Sequence, residues 1–169
     1  GGSFRISDLL TAFSSPTALG TQVEPVAAGC GLALILFAAV TKSAIFPTHF
    51  WLPSAMAAPT PVSAFLHAAA MVKAGIYLIA RFAPAFALFP ALTLAIIILG
   101  ATTMLLGGYA ALRQTDLKLV LAFGTVSQLG FLTMLIGSGS PQLYLAGLCV
   151  LAAHSTFKSG LFLPTGTIE

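Results

Sequence analysis

The chain has 169 residues, of which 58% are hydrophobic and 7% charged, with a formal net charge of +3. A soluble domain carries roughly a quarter charged residues, so these proportions exclude one. They indicate an all-α integral membrane protein, because the apolar runs are too long for barrel strands. Three of the seven basic residues lie inside apolar runs and none cluster on a surface, which excludes nucleic-acid binding.

Residues 1–23 are polar and read as an extramembrane or interfacial loop, with Phe4, Ile6, Leu9 and Leu10 as the apolar face of a short interfacial helix starting near Ser7 or Asp8. No basic leader followed by an apolar core opens the chain, and it lacks a first Met. It reads as an internal piece of a longer polypeptide.

The first membrane segment covers about 24–57. Glu24-Pro25 suits a helix start, where a negative charge meets the positive end of the dipole and proline is tolerated. The run of about 34 residues exceeds the roughly 20 that one span needs. Pro47 cannot donate a backbone hydrogen bond, so the spacing predicts a discontinuous helix, with halves at about 26–46 and 49–57.

Ala58-Pro59-Thr60-Pro61 stops one helix and starts the next, predicted over about 60–82. Arg81 marks its interfacial end and Pro84 follows. A third helix is expected over 86–112, where Thr102, Thr103, Gly107 and Gly108 offer small surfaces for close packing. The polar loop Arg113 to Lys118 leads, with Asp116 as cap, into a fourth helix over 117–136. A Gly/Ser turn then precedes a fifth over 142–163, ending near Pro164. Arg5 and Arg81 fall on one side and Arg113 and Lys118 on the other, a balance without positive-inside bias. Cys30 and Cys149 lie in apolar runs and read as small hydrophobes of a packed interior, with no disulfide or metal role.

Lys42, Lys73 and Lys158 lie inside apolar segments that hold no Asp or Glu. An ammonium group at bilayer depth costs a few kcal/mol or more, so each is a candidate functional site. Lys42 precedes the predicted break by about one turn, and transporters place ions at such half-helix ends. Its plain alternative is a lysine reaching for the interface. Lys73 is twelve residues from Pro61 and nine from Phe82, near mid-span, where reaching an interface is hardest.

His67, six residues before Lys73, is either a relay group or a hydrogen-bonded core residue. His154 and Lys158 are four apart and share a helix face, as a proton step requires; alternatively Lys158 reaches towards the helix end. His49 beside the break either faces a cavity or satisfies a freed carbonyl. Thr125, Ser127 and Gln128 give the fourth helix a polar face, for water or for interhelical hydrogen bonds. Five residues are therefore expected on one interior axis: Lys42, His67, Lys73, His154 and Lys158. Three lysines without an acid call for a carboxylate, a Glu, on a membrane helix preceding Gly1. The pattern suggests movement of protons or cations across a membrane. A scaffold whose lysines only reach for interfaces is the rival reading, and no metal or cofactor site is evident.

The block from Lys42 to Gly75, KSAIFPTHFWLPSAMAAPTPVSAFLHAAAMVKAG, resembles the signature of the antiporter-like subunits shared by respiratory complex I and Mrp-type cation/proton antiporters. TDLKLVLAFGTVSQLG from Thr115 and HSTFK from His154 are similar to two further blocks of that family, and the likeness covers nearly the whole chain. Together with GGSFRIS at the start, the blocks most resemble the large A-type subunits of Mrp antiporters.

The resemblance implies a fold of two inverted five-helix repeats, of which this piece spans the end of one and the start of the other. It implies that Lys42 is the lysine of a broken helix, that Lys73 is a connecting lysine, and that His154 and Lys158 continue the relay. It also implies a glutamate partner for Lys42 on an earlier helix. The function it implies is that of a proton-translocating subunit of a multisubunit Na+/H+ antiporter in the cell membrane, an ion transporter without cofactors. Its partners would be the other subunits, protons, and Na+ or another monovalent cation. The alternative it carries is a proton-pumping subunit of NADH:quinone oxidoreductase or of a related membrane-bound hydrogenase.

Overall fold

The computed structural model describes residues 6–8, 25–63, 65 and 70–168, which hold helices and turns and no strand. Helix α1 is Pro25–Lys42. A 3-10 turn over Thr48–Phe50, the short helix α2 (Trp51–Ser54) and a second 3-10 turn over Ala55–Ala57 follow. Helix α3 is Thr60–Ser63, α4 is Lys73–Phe86, α5 is Pro90–Leu112, α6 is Leu117–Gly137 and α7 is Pro141–Ile168. Three stretches are long and apolar enough to cross a bilayer uninterrupted: Pro90–Leu112, Leu117–Gly137 and Pro141–Thr165; Val26–Lys42 is a shorter apolar helix. The two N-terminal segments are interrupted.

Helix α1 stops at Lys42, earlier than the expected 46. Ala44 takes a left-handed conformation (φ 51°), Ile45 N–H donates to Val40 C=O (3.1 Å) and Ala44 N–H to Thr41 C=O (3.5 Å). This is a Schellman closure with alanine where glycine usually stands, and Val40 and Ile45 are both buried beneath it. The Phe46–Pro47 peptide is cis. Local and distant side chains satisfy groups freed by the break, as a bilayer demands. Phe46 N–H donates to Thr103 Oγ1 (2.9 Å), Trp51 Nε1–H donates to Thr41 C=O (3.1 Å), and the Thr48 hydroxyl donates to Ile45 C=O (2.9 Å).

The expected continuous helix over 60–82 is broken too. Phe65 and Ala70 have π-helical geometry, and Met71-Val72 is a turn from which α4 starts at Lys73. At its other end α4 runs past Arg81 and through Pro84 to Phe86. Proline at position 84 removes the donor for Ala80 C=O, and the Tyr144 hydroxyl approaches that carbonyl instead (3.4 Å). The chain then turns, and α5 begins with Pro90 in its first turn rather than at 86. Helix α7 likewise continues through Pro164 instead of ending there. Asp116 occupies the N-cap position of α6 with an extended backbone, but its side chain makes no capping hydrogen bond.

Helix α6 is the centre of the assembly. It packs along α5 and also touches α2, α4 and α7, while α1 lies on α4 and α3 on α7. Glycines set the α5–α6 approach: a Cβ on Gly100 would stand 2.7 Å from Gly130 C=O, and one on Gly107 2.7 Å from Ser127 N. Such backbone-to-backbone packing is how membrane helices associate where apolar burial gives no drive. The Ser127 hydroxyl donates to Met104 C=O (2.8 Å) across this contact, whereas Thr125 bonds back to Leu121 C=O of its own helix (2.8 Å). The outward surface is apolar, with Leu94, Ile98, Leu105, Leu112, Leu145 and Leu163 exposed. Cys30 and Cys149 are on this surface, not in the interior expected of them, because each falls on the outer stripe of its helix.

Candidate functional site

Lys73, His154 and Lys158 are buried, at 6%, 0% and 6% exposure. Lys73 is the first residue of α4, at the break after Val72, and α4 packs on α6. His154 and Lys158 stand one turn apart on the inner stripe of α7, with Phe162 and Thr165 continuing that stripe. The charge of Lys158 bears on Lys73, and both lysines bear on His154, so the three share one electrostatic neighbourhood. Gly124 of α6 makes room there: a Cβ on it would stand 3.3 Å from Lys158 Nζ.

Neither ring nitrogen of His154 has a hydrogen-bond partner among the described residues, although the ring is fully buried. Its ring meets that of Phe157 edge-on (5.2 Å). Buried polar atoms of this kind are seldom left unsatisfied. A neutral imidazole has one nitrogen able to take a proton and one able to give it.

Lys42 is placed differently. It closes α1 and is exposed, on a groove of about 340 Å³ lined by Ala38, Thr41, Lys42, Trp51 and Met71. Of the residues expected on one interior axis, Lys73, His154 and Lys158 are buried, whereas Lys42 is exposed in this chain. The reason is that α1 packs through its Leu32, Leu36, Ala39 and Val40 face and leaves the lysine on its flank. His67 lies outside the described residues. His49 is half-buried in the 3-10 turn; its ring is 5.8 Å from that of Phe46, and its Nδ1 has no hydrogen-bond partner among the described residues.

A larger cavity of about 700 Å³ opens between the 53–57 stretch and the start of α6. Asp116, Lys118 and, from α7, Thr165 are among its lining residues.

Several residues of this neighbourhood were not singled out from the sequence. Ser43, fully buried, donates its hydroxyl to Val72 C=O (2.7 Å) and thereby joins the two breaks. Gly75 allows that approach, since any Cβ on it would collide with the Ser43 hydroxyl and Ala39 C=O. A serine directly after the membrane lysine, and a glycine two residues after the next one, were the only traces in the sequence.

Residues 2–169 match the family described as "NADH:quinone oxidoreductase/Mrp antiporter, TM". The A/B-type subunit of a probable K(+)/H(+) antiporter of Rhizobium meliloti is 51% identical over 141 residues, covering 83% of this chain and 14% of the relative. The A-type subunit of the Na(+)/H(+) antiporter of Bacillus subtilis is 43% identical, over 99% of this chain and 23% of the relative. Among solved structures, the Mrp complex from Dietzia sp. DQ12-45-1b matches with a TM-score of 0.83 at 50% identity, covering 86% of this chain and 16% of that one. The chain thus spans about a seventh to a quarter of the length of the curated relatives it matches. With a matching family over nearly all its residues and an all-helical fold to agree, the chain belongs to the NADH:quinone oxidoreductase/Mrp antiporter transmembrane family.

Proposed function

We propose that this chain is a proton-conducting stretch of the large A-type subunit of a multisubunit monovalent cation/H+ antiporter in a bacterial cell membrane. Protons pass along Lys42, His67, Lys73, His154 and Lys158, and the exchanged cation is Na+ or another monovalent ion. The observation that carries the reading is the buried trio Lys73, His154 and Lys158, where an imidazole without a hydrogen-bond partner among the described residues sits among charged neighbours. Relatives named as an A/B-type and an A-type antiporter subunit support it. The chain is an ion-transporter segment, not an enzyme, and it works with the other subunits of its complex.

The lysines hold the proton and the imidazole passes it. A lysine screened from water can give its proton up, and repulsion from a neighbouring ammonium drives that proton onwards. The exposed flank of Lys42 is, on this reading, covered by the remainder of the longer protein. A second reading is a proton-pumping subunit of NADH:quinone oxidoreductase or a related hydrogenase, which the family description also spans. The same lysine line would serve it, and the identity of the subunits that co-purify decides between the two.

The test is Lys73→Met and Lys73→Arg in the full-length subunit within its complex. Both are expected to assemble, and both to lower coupled proton movement by roughly a hundredfold, the scale of losing one proton-transfer group. Arginine keeps the charge but does not release its proton. Normal exchange by Lys73→Arg would show a fixed charge, and normal exchange by both would sink the lysine line.

A further inference from the structure

The two helix breaks of the N-terminal half meet at one hydrogen bond. On one side, Lys42 ends α1 and Ser43 follows as its C-cap, its own N–H still donating to Ala39 C=O (2.9 Å). On the other, Val72 is the N-cap of α4 and Lys73 its first residue. Ser43 Oγ–H donates to Val72 C=O at 2.7 Å, across 29 residues of sequence and fully out of solvent. Each lysine is therefore one residue from the same bond.

Three features show that the contact is built rather than incidental. Ser43 has no exposure, so water is not at hand to replace its hydroxyl. Gly75, the third residue of α4, has no side chain, and any Cβ would collide with Ala39 C=O and the Ser43 hydroxyl. Finally, the N-cap Val72 makes no side-chain capping hydrogen bond, so this tie and the packing at Gly75 locate the first turn of α4.

We propose that Ser43 is a positioning residue for proton passage between Lys42 and Lys73: by donating to Val72 C=O, its hydroxyl fixes the end of α1 on the start of α4 and so holds the two lysines at a constant spacing. The inference rests on the lysine line proposed above. Proton transfer through side chains or a single intervening water falls off steeply with misplacement, so a tie between two otherwise independent backbone breaks sets the rate of that step. Ser43 itself neither binds the cation nor carries the proton.

The experiment uses the full-length subunit in its assembled complex, reconstituted in proteoliposomes, with Na+ or K+ gradients as the driving ion. Ser43→Ala removes one hydroxyl and changes little volume. It is expected to assemble in wild-type amounts and to lower the maximal rate of coupled proton movement roughly two- to tenfold, the weight of one hydrogen bond. The KM for the cation should stay unchanged, and the solvent deuterium isotope effect on the rate should rise, because the transfer step becomes limiting. Two results overturn the proposal: a wild-type rate, or a lower rate that follows only the amount of complex assembled, with the isotope effect unchanged. Lys73→Met, measured alongside, separates the two ideas. If it abolishes transport while Ser43→Ala is normal, only the role of Ser43 fails; if it transports normally, the lysine line and this inference fail together.

Discussion

Thr103 shows how a single side chain sustains a broken membrane helix. Its hydroxyl accepts from Phe46 N–H at 2.9 Å and donates to Leu99 C=O at 2.6 Å, with 1% of the residue exposed. Thr103→Val preserves the shape but strands a backbone N–H in an apolar interior. The expected loss is about 1–3 kcal/mol, read as a lower unfolding temperature of the purified complex in detergent. An unchanged transition would mean that Phe46 N–H finds another partner. Tyr144 is a milder case of the same logic. Its 3.4 Å contact to Ala80 C=O stands in for the bond Pro84 cannot make, and Tyr144→Phe should cost no more than about 1 kcal/mol in the same melt.

At the level of elements, the α5–α6 pair depends on having nothing at four positions. Gly100, Gly107, Gly130 and Gly137 each leave a Cβ no room, the obstacles being backbone at the first three and Ile96 at Gly137. Backbone does not move aside as a flexible side chain does, so Gly130→Ala is expected to pry the helices apart. Overpacking of this kind costs about 1–3 kcal/mol. The check is reduced recovery of folded complex, with a smaller effect for Gly124→Ala, where the neighbour is the mobile end of Lys158. Equal damage at the two sites would show that close helix approach is not what Gly130 provides.

For the molecule as a whole, the question is what lies against Lys42. The lysine is exposed on its groove beside Ala38, and the relatives are several times longer than this chain. A membrane helix of the longer protein carrying a carboxylate is expected there, since an ammonium group facing hydrocarbon costs several kcal/mol. Ala38→Cys should therefore cross-link to a cysteine placed on an acid-bearing membrane helix of the full-length protein. Failure with every such helix would leave Lys42 facing lipid, or water at an interface.

Composition and hydropathy alone determined that the chain is helical and membrane-embedded, and that three lysines lie within its apolar stretches. These follow from the cost of placing charge or unpaired backbone in hydrocarbon, which every residue reports locally. The start at Pro25 was legible as well, whereas that of α5 was placed four residues early. Where helices end was less so. Pro47, Pro84 and Pro164 each suggested a stop; α4 and α7 run through two of them, and α1 ends before the first is reached. A proline withdraws a donor locally, but whether the helix stops depends on partners far along the chain, such as Tyr144 for Pro84. Left-handed Ala44 gave no glycine signal, and the joining of the Lys42 and Lys73 breaks through Ser43 rests on residues 29 apart. Tertiary structure also decided that Lys42 stands on a flank while Lys73, His154 and Lys158 converge, because which stripe of a uniformly apolar helix turns inward is set by the small residues it meets, not by its hydrophobicity.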